Sequence, residues 1–294
     1  VLIAGETGCG KSTQLPAYLL EDALQRGYPC KIYVTEPRRI SAISLAERVS
    51  QELGEARGAI GGPDSYVGYA IRLDSQVGRN ARLIYATTGI ALRMLESSSF
   101  DEITHIIIDE VHERQLDTDL VLAMCMEVAL LRDDLYLTAM SATLDAKKFA
   151  DHMGAQILST EAVTHPLDIQ YAPHAERIQS TREFYRHVAA QTDSEHRTLV
   201  FVPGVREVDL VCGFLDDAKP LHGRQTSKEQ DEALRGDNRV VVATSVAESS
   251  ITVPGVRKVV DAGLSRVPKR DNRGMTGLVT VSEAKTSADQ RAGR

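Results

Sequence analysis

The residues best suited to chemistry lie at the start of the chain, where a loop follows the pattern G-x-x-x-x-G-K-S. The loop consists of Gly5, Glu6, Thr7, Gly8, Cys9, Gly10, Lys11 and Ser12. Its glycines allow backbone N–H groups to point at phosphate oxygens, and the following helix N-terminus adds partial positive charge. Lys11 can reach the β- and γ-phosphates, and the Ser12 hydroxyl can be a ligand of Mg²⁺. This loop, with Thr13 after it, predicts nucleoside triphosphate binding without saying what the nucleotide drives.

A second group of reactive side chains, Asp109, Glu110 and His112, follows the apolar run His105–Ile108. Parallel sheets place functional groups at the carboxyl ends of their strands, beside a phosphate loop. We therefore expect Asp109 to hold Mg²⁺ together with Ser12, and Glu110 to orient and deprotonate the attacking water. His112 taken singly carries little weight, since most histidines are structural or lie on the surface.

Both groups need a sheet to position them, and the chain has the required pattern. Short runs rich in Val and Ile alternate with helical patterns, which indicates an α/β fold with mainly parallel sheets covered on both faces. The first half has predicted strands at 1–4, 31–35, 83–86, 105–108 and 135–140, and predicted helices at 13–26, 41–53 and 118–131. The second half has predicted strands at 198–202, 240–244 and 258–260, and predicted helices at 182–191 and 206–216.

A polar stretch that ends in His165-Pro166 separates the two halves, and a residue before proline is held extended, as in a linker. We predict two α/β domains, residues 1–162 and 163–294. A chain of 294 residues also predicts about two domains at roughly 150 residues each. Turn residues 271–274 between two extended stretches predict a β-hairpin within 266–282.

Composition excludes several classes of protein. With 43% hydrophobic and 26% charged residues, the chain is neither disordered nor fibrous. Its longest apolar runs, such as Ile106–Ile108, are too short to span a bilayer, and no charged-then-apolar leader opens it. The cysteines at 9, 30, 125 and 212 form no CxxC pair, which argues against zinc or disulfides. We therefore expect an intracellular protein, cytoplasmic or nuclear, with no membrane partner.

The charge balance bears on nucleic acid binding. There are 34 Lys and Arg against 41 Asp and Glu, a net charge of -7. Residues 1–160 carry 15 against 22, whereas residues 161–294 carry 19 against 19. Proteins that hold nucleic acid by bulk electrostatics are normally basic. We therefore expect any nucleic acid to lie in a local groove and to be held partly by backbone amides.

The segment Asp109–His112 (the DEVH box) resembles the DEAH box of superfamily 2 helicases, and the rest of that family's motifs follow the same order. They are Thr35–Arg39 (motif Ia), Thr87–Gly89 (Ib), Ser141–Thr143 (III), Leu199–Gly204 (IV), Thr244–Thr252 (V) and Gln290–Arg294 (the first five residues of VI). Ordered motifs over essentially the whole chain are more specific than any one of them. The chain is therefore similar to the DEAH/RHA group of DExH RNA helicases, which includes HrpB-like bacterial relatives.

The resemblance implies an ATP-dependent RNA helicase core that couples NTP hydrolysis to translocation on RNA or to unwinding. It implies two tandem RecA-like P-loop domains, with ATP and Mg²⁺ as cofactors and single-stranded or partly duplex RNA as partner; DNA stays open. In such a core, Gln290, Arg291 and Arg294 would reach the γ-phosphate as the arginine-finger set. Ser141 and Thr143 would couple the nucleotide site to the RNA path.

On the RNA side, the resemblance assigns Arg38, Arg39, Arg72, Thr88, Gly204 and Thr244. Arg38 and Arg39 are predicted at a helix N-terminus, where two guanidiniums suit a phosphate. Arg72 belongs to a hook-like turn, and the predicted hairpin would act as a wedge at a duplex junction. Backbone contacts of this kind give little sequence preference.

The chain departs from the family pattern at several positions. Arg48 occupies the arginine position of the family's adenine sandwich, but Leu264 stands where the aromatic partner is expected. We therefore expect GTP and other NTPs to be hydrolysed as well as ATP. Glu36 replaces the usual Gln of motif Ia and Ser245 the usual Asn of motif V, and neither change removes a catalytic group.

Both ends look incomplete. Val1–Ala4 reads as a strand already begun, and motif VI lacks its last three residues. We expect a part of a longer protein, whose winged-helix, helical-bundle and OB-fold domains the resemblance implies. Those domains would close the RNA tunnel and receive activator proteins, so the part present here would hydrolyse and unwind poorly.

Three alternatives stay open. The chain is an ATPase that remodels RNA–protein complexes with little unwinding, a catalytically silent RNA-binding scaffold, or a phosphate-loop enzyme of another kind. Intact Lys11, Asp109, Glu110 and Arg294 argue against the scaffold. The third is opposed by motif VI, which has no place in a kinase, and by the absence of an ABC signature.

Overall fold

The computed structural model describes residues 1–294 apart from 6–7, 143–145, 161–165 and 249–252. The chain divides into two compact units, Val1–Val163 (unit 1) and Thr164–Arg294 (unit 2). The domain boundary predicted after residue 162 falls within 161–165, outside the described residues, so its position stays a prediction.

Unit 1 is built on one eight-stranded sheet. Its strands are β1 (Leu2–Gly5), β2 (Ile32–Glu36), β3 (Val67–Ile71), β4 (Asp74–Gln76), β5 (Leu83–Thr87), β6 (His105–Ile108), β7 (Tyr136–Ser141) and β8 (Ile157–Thr160). They lie in the order β4-β3-β5-β2-β6-β7-β1-β8, and every neighbouring pair is parallel except β3 with β4. The carboxyl ends of the parallel strands therefore share one edge, the edge at which ligands bind in sheets of this kind.

Helices cover both faces of this sheet. They are α1 (Lys11–Arg26), α2 (Arg39–Glu52), α3 (Thr88–Leu95), α4 (Leu116–Ala129) and α5 (Ala146–Met153). Strand β6 shows why an unbroken apolar run is needed. Ile106 and Ile108 join the core that packs against α3, α4 and α5, whereas Ile107 joins the core that packs against α1 and α2. Successive side chains of β6 thus face opposite sides of the sheet, and the helices on both sides exclude water from them.

Unit 2 contains a smaller parallel sheet in the order β10-β11-β9-β12. Its elements are α6 (Arg182–Ala190), β9 (Arg197–Phe201), α7 (Val205–Cys212), β10 (Ala218–Leu221), α8 (Ser227–Arg235), β11 (Val240–Ala243), β12 (Val256–Asp261) and α9 (Lys285–Ala292). Side chains of α6 and α7, such as Phe184 and Val208, pack with β9 and β11 in one apolar cluster. A capping box of Thr226 and Glu229 begins α8.

The predicted β-hairpin of unit 2 is confirmed. Strands β13 (Leu264–Arg270) and β14 (Thr276–Ser282) pair antiparallel over their whole length. In the turn, Asp271 Oδ1 accepts the N–H groups of Arg273 and Met275 at 2.9 and 2.8 Å, and Gly274 has a φ of 82°. A side-chain carboxylate and a left-handed glycine are the residues that such a turn demands.

The predicted α/β fold class is confirmed, but several elements escaped prediction. Strands β3, β4, β8 and β10 and helices α3, α5, α8 and α9 had no predicted counterpart. Strand β4 is only three residues long and polar, and all four residues of β8 are exposed, so neither carries the apolar run that marks a buried strand. All four cysteines are free. In the part of the chain that the structure describes, no helix has the length and apolar character needed to cross a membrane.

Candidate functional site

The phosphate loop joins β1 to α1 at the carboxyl edge of the unit 1 sheet. Gly8 and Gly10 have φ angles of 83° and 85°, which favour glycine. At Gly5 the constraint is space, because an added Cβ would lie 2.5 Å from Cγ2 of Thr160 on the neighbouring strand β8. The loop conformation therefore depends on the glycines of the motif for two different physical reasons.

Lys11 begins α1 and is held by its own loop. Its Nζ donates to the Gly5 carbonyl oxygen at 2.7 Å and lies 3.4 Å from Cys9 Sγ. Thr13 Oγ1 donates to the Gly10 carbonyl oxygen at 3.2 Å, which braces the first helical turn. The Lys11 ammonium thus already lies inside the curl where phosphates would bind.

Asp109 is joined directly to the phosphate loop. It is only 2% exposed at the end of β6, and Ser12 Oγ donates to its Oδ2. Its Oδ1 accepts the Glu110 N–H at 2.7 Å. Burial raises the pKa of Asp109, whereas the hydrogen bonds from Ser12 and Glu110 act in the opposite direction.

Ser12 and Asp109 present adjacent hard oxygens, the kind of donor that Mg²⁺ prefers. Within the described ranges no cluster of three or more His, Cys, Asp or Glu could hold a metal. A divalent cation would therefore need nucleotide phosphates and water to complete its shell, as Mg²⁺ usually does.

A second carboxyl group, Glu36, lies beside Asp109. Glu36 ends β2 and is fully buried, and its proximity is one of the influences that lower the pKa of Asp109. Glu36, where the family usually has Gln, therefore changes the surroundings of Asp109, the predicted Mg²⁺ ligand. Its place in motif Ia did not indicate this effect.

The DEVH box continues into the 3-10 helix Val111–Glu113. Glu110 has a φ of 53°, in the left-handed region that non-glycine residues rarely adopt. His112 Nδ1 accepts the Ala142 N–H at 3.1 Å, so the proton of the neutral ring sits on Nε2, which lies 3.4 Å from Glu110 Oε2. His112 therefore connects Glu110 to motif III, where Ser141 Oγ donates to the Ala142 carbonyl oxygen at 2.8 Å.

Tyr85 supports the loop, although no motif marks it. It is fully buried on β5, and its hydroxyl donates to the Ser12 carbonyl oxygen at 2.8 Å. In a regular helix that carbonyl would receive an N–H from four residues ahead, but Pro16 has none. Burial, followed by the nearby Glu36 and Asp109, raises the pKa of Tyr85 well above its usual value, so the hydroxyl stays a donor. The sequence signal for this hydrogen bond is the proline four residues after Ser12, because it leaves the Ser12 carbonyl without its helical donor.

Replacing Tyr85 with Phe should lower the free energy of unfolding by about 1–2 kcal/mol, because the Ser12 carbonyl would lose its donor in a partly buried place. Urea unfolding followed by circular dichroism measures this loss. Pro16→Ala restores an amide, so Pro16→Ala/Tyr85→Phe should lose less than Tyr85→Phe alone. If Tyr85→Phe and Pro16→Ala/Tyr85→Phe lose the same free energy of unfolding, the amide at residue 16 does not replace the Tyr85 hydroxyl.

Arg48 lies on the surface of α2, near the start of α1. Its Nε pairs with Glu52 Oε1 at 2.5 Å, and Glu52 Oε2 accepts from Gln14 Nε2 at 2.9 Å. Leu264, in contrast, is 1% exposed and belongs to the apolar cluster of unit 2. Leu264 therefore fills the core of unit 2, and the lack of an aromatic residue at this position stays a departure from the family pattern.

The arginines predicted for RNA occupy different environments. Arg39 is exposed at the first residue of α2, and Arg72 is exposed in a tight turn between β3 and β4. The second residue of that turn, Leu73, has a φ of 69° and is 97% exposed, which fits the predicted hook-like turn. Arg38 makes a two-pronged ion pair with Glu113, at 2.9 and 3.2 Å.

The remaining predicted RNA contacts differ in exposure. Thr88 begins α3 and is only 5% exposed, and its contact with RNA stays a prediction. Gly204 precedes α7 and packs against Arg266, whose Nη1 would lie 2.3 Å from a Cβ added at Gly204. Arg266 pairs with Glu207 at 2.7 Å. Thr244 is half-buried before a 3-10 helix.

Arg291 is a buried arginine of unit 2. It is 1% exposed, and its Nε, Nη1 and Nη2 donate to Glu248 Oε2 (3.0 Å), Asp261 Oδ1 (2.9 Å) and Ser265 Oγ (3.1 Å). Glu283 forms a further ion pair with it. Its donors are thus engaged inside unit 2, and the contact of Arg291 with a γ-phosphate stays a prediction.

The other two predicted residues of motif VI are more accessible. Arg294 is half-buried, and its Nε donates to the Glu248 carbonyl oxygen at 2.9 Å. Gln290 is half-buried on α9. Both stay predictions as γ-phosphate ligands. Glu6 and Thr7 of the phosphate loop and Thr143 of motif III lie outside the described residues.

The acidic neighbours of Arg291 should make the stability of unit 2 depend on pH. Burial and the hydrogen bond with Asp261 raise the pKa of Glu283 to about 8, from an ordinary value of 4.5. Folding therefore takes up a proton between these values. The free energy of unfolding should fall as pH rises from about 5 to about 8, by at most about 1.4 kcal/mol per pH unit.

Urea unfolding across this pH range tests the slope. Glu283→Gln should flatten it, because the amide cannot titrate. Glu195→Gln, at an exposed position of unit 2, should keep it. An unchanged slope in Glu283→Gln would assign the pH dependence to another group.

Comparison with known proteins gives two family matches. The DEAD/DEAH box helicase family matches residues 1–152, and the helicase conserved C-terminal domain matches residues 177–294. Together they follow the division of the chain into two units.

Similar proteins carry consistent names. ATP-dependent RNA helicase HrpB of Escherichia coli K12 is 36% identical over 100% of this chain and 37% of its own length. Probable ATP-dependent RNA helicase DHX35 of Homo sapiens is 36% identical over 100% of this chain and 46% of its own length. The crystal structure of Escherichia coli DEAH/RHA helicase HrpB superposes with a TM-score of 0.84 at 35% identity, over 100% of this chain and 38% of that chain. The chain thus spans less than half the length of these relatives.

Proposed function

The chain belongs to the DEAD/DEAH box helicase family, and on that basis we propose that it is the core of an ATP-dependent RNA helicase. It couples ATP hydrolysis to movement along RNA or to strand separation. One observation carries the proposal: Ser12 of the phosphate loop and Asp109 of the DEVH box share a hydrogen bond, with Glu110 next in the chain. Phosphate binding, cation binding and a candidate base thus meet at one edge of the unit 1 sheet.

The residues of unit 1 divide the work of hydrolysis. Lys11 leaves the Gly5 carbonyl for the β- and γ-phosphates, and the loop amides bind the remaining oxygens. Ser12 and Asp109 would hold Mg²⁺, which when bound neutralises phosphate charge. Glu110 accepts the proton of the attacking water, and His112 sets the position of the Glu110 carboxylate. Gln290 and Arg294 are our candidate γ-phosphate ligands from unit 2.

RNA binds through its phosphates, with Arg38, Arg39 and Arg72 as the candidate cationic contacts of unit 1. Such contacts fix the position of a strand and carry little sequence information. They also suit a chain whose net charge of -7 offers no general attraction to nucleic acid. We further propose a cytoplasmic or nuclear location and activation by partner proteins.

The decisive experiment is ATP hydrolysis by the protein with and without single-stranded RNA, with Lys11→Ala as the inactive control. Stimulation by RNA that disappears in Lys11→Ala supports an RNA-dependent motor. RNA binding without hydrolysis above the control would support the scaffold instead. Single-stranded DNA of the same sequence tests whether stimulation of hydrolysis depends on the sugar. Displacement of a bound protein without duplex unwinding would support a remodelling ATPase.

Selectivity for the base should be poor. Arg48, the candidate stacking residue, has a side chain that is 67% exposed and is paired with Glu52 on its own helix. Stacking of this kind does not read the base edges, so we expect GTP, CTP and UTP to be hydrolysed with kcat/KM within about tenfold of ATP. Competition of each unlabelled NTP against labelled ATP measures this ratio. Hydrolysis confined to ATP would contradict the prediction.

A further inference from the structure

Glu113 holds the arginine that the proposed function places on RNA. Arg38 Nη1 donates to Glu113 Oε1 at 2.9 Å, and Nη2 donates to Oε2 at 3.2 Å. The two side chains are only 22% and 14% exposed. Gln115 Nε2 also donates to Glu113 Oε2, at 2.7 Å. A two-pronged, mostly buried pair is stronger and more directional than an exposed ion pair.

Glu113 is also part of the turn that carries the candidate base. It ends the 3-10 helix Val111–Glu113, and its N–H donates to the Glu110 carbonyl oxygen at 2.9 Å. Glu110 and Arg114, which flank this helix, have φ angles of 53° and 52°. Left-handed residues other than glycine persist only where their surroundings hold them. The pair with Arg38 holds one end of this turn.

From these contacts we infer that Glu113 is a positioning residue through which RNA binding controls hydrolysis. The inference rests on the proposed function. Without RNA, the pair with Arg38 keeps the turn as seen here, with the Glu110 carboxylate at His112. An RNA phosphate competes with Glu113 for the Arg38 guanidinium. Once Arg38 turns to the phosphate, the turn is released and Glu110 can move to the attacking water.

The inference predicts a gain of activity, which few substitutions near an active site produce. Glu113→Gln is almost the same size but loses the negative charge and one of the two acceptors. It should raise ATP hydrolysis without RNA at least about fivefold and lower the ratio of RNA-stimulated to basal kcat by a similar factor. Arg38→Lys, which breaks the two-pronged pair from the other side, should also raise the basal rate. The double substitution should raise it no further than the larger single effect.

A matched control lies on the other side of the same turn. Asp119 accepts hydrogen bonds from Arg114 at 2.8 to 3.2 Å, in a more exposed pair. Asp119→Asn removes that pair without touching Arg38, and the stimulation ratio should stay within about twofold of the parent. Thermal unfolding of each variant shows whether it is folded, and Glu113→Asp, with its shorter side chain, should give an intermediate gain.

The outcomes separate the inference from the proposed function. If the parent protein is stimulated by RNA but the basal rate of Glu113→Gln is unchanged or lower, the inference fails and the proposed function stands. If Asp119→Asn raises the basal rate as much as Glu113→Gln, general loosening of the turn explains the gain and the inference also fails. If Lys11→Ala removes hydrolysis but RNA never stimulates the parent, both fail.

Discussion

Glu110→Gln is expected to lower kcat for ATP hydrolysis by about 10²- to 10³-fold, the size of effect that general base catalysis provides. The amide cannot accept a proton from the attacking water. Because its Oε1 can still accept from His112 Nε2, the turn should keep its shape. Steady-state hydrolysis at saturating ATP and RNA measures kcat, and equilibrium titration with a fluorescent ATP analogue measures nucleotide binding, which should change by less than about threefold.

The matched control for this substitution is Glu127→Gln, on the same stretch of chain in α4 but away from the DEVH box. It should leave kcat within about twofold of the parent. A loss of less than about fivefold in Glu110→Gln would show that another group orients the water.

Arg291→Met should lower the free energy of unfolding of unit 2 by about 3–5 kcal/mol, the usual result of removing one partner from a buried ion cluster. The methionine fills a similar volume, but Glu248 and Asp261 would remain inside without the cation that balances them. Urea unfolding monitored by circular dichroism measures the change.

A control substitution separates burial from charge. Arg235→Met removes a guanidinium of unit 2 that pairs with Asp231 at 2.5 Å but is 43% exposed, and it should cost no more than about 1 kcal/mol. If Arg291→Met were as stable as the parent and only hydrolysis were lost, Arg291 would be a finger on the phosphate after all. That result would require a conformation different from the one described here.

Much of the nucleotide site could be predicted from the sequence, because its geometry is local. The loop from Gly5 to Ser12 and the box from Asp109 to His112 each follow a strand, and parallel strands bring their carboxyl ends together. The bond between Ser12 and Asp109 joins residues 97 positions apart, yet it follows from those two local patterns and the sheet.

The residues that escaped prediction are those whose meaning depends on burial or on a distant partner. Arg291 looks the same in sequence whether it is exposed or buried, and its burial depends on three acidic side chains from separate segments. Tyr85 is 73 residues from the carbonyl it serves. Glu113 sits in a run of charged residues that is typical of a solvated helix start, so its pairing with Arg38 could not be seen without coordinates.

The hydrogen bond from Tyr85 to Ser12 also bears on how this chain can change over evolutionary time. A proline at residue 16 makes the hydroxyl at residue 85 necessary, whereas any other residue at 16 would provide the amide itself. Mutations at the two positions are therefore not independent, because loss of the Tyr85 hydroxyl costs less stability once Pro16 has been replaced. Descendants of this sequence should reach Phe at 85 more easily after a substitution at 16 than before it.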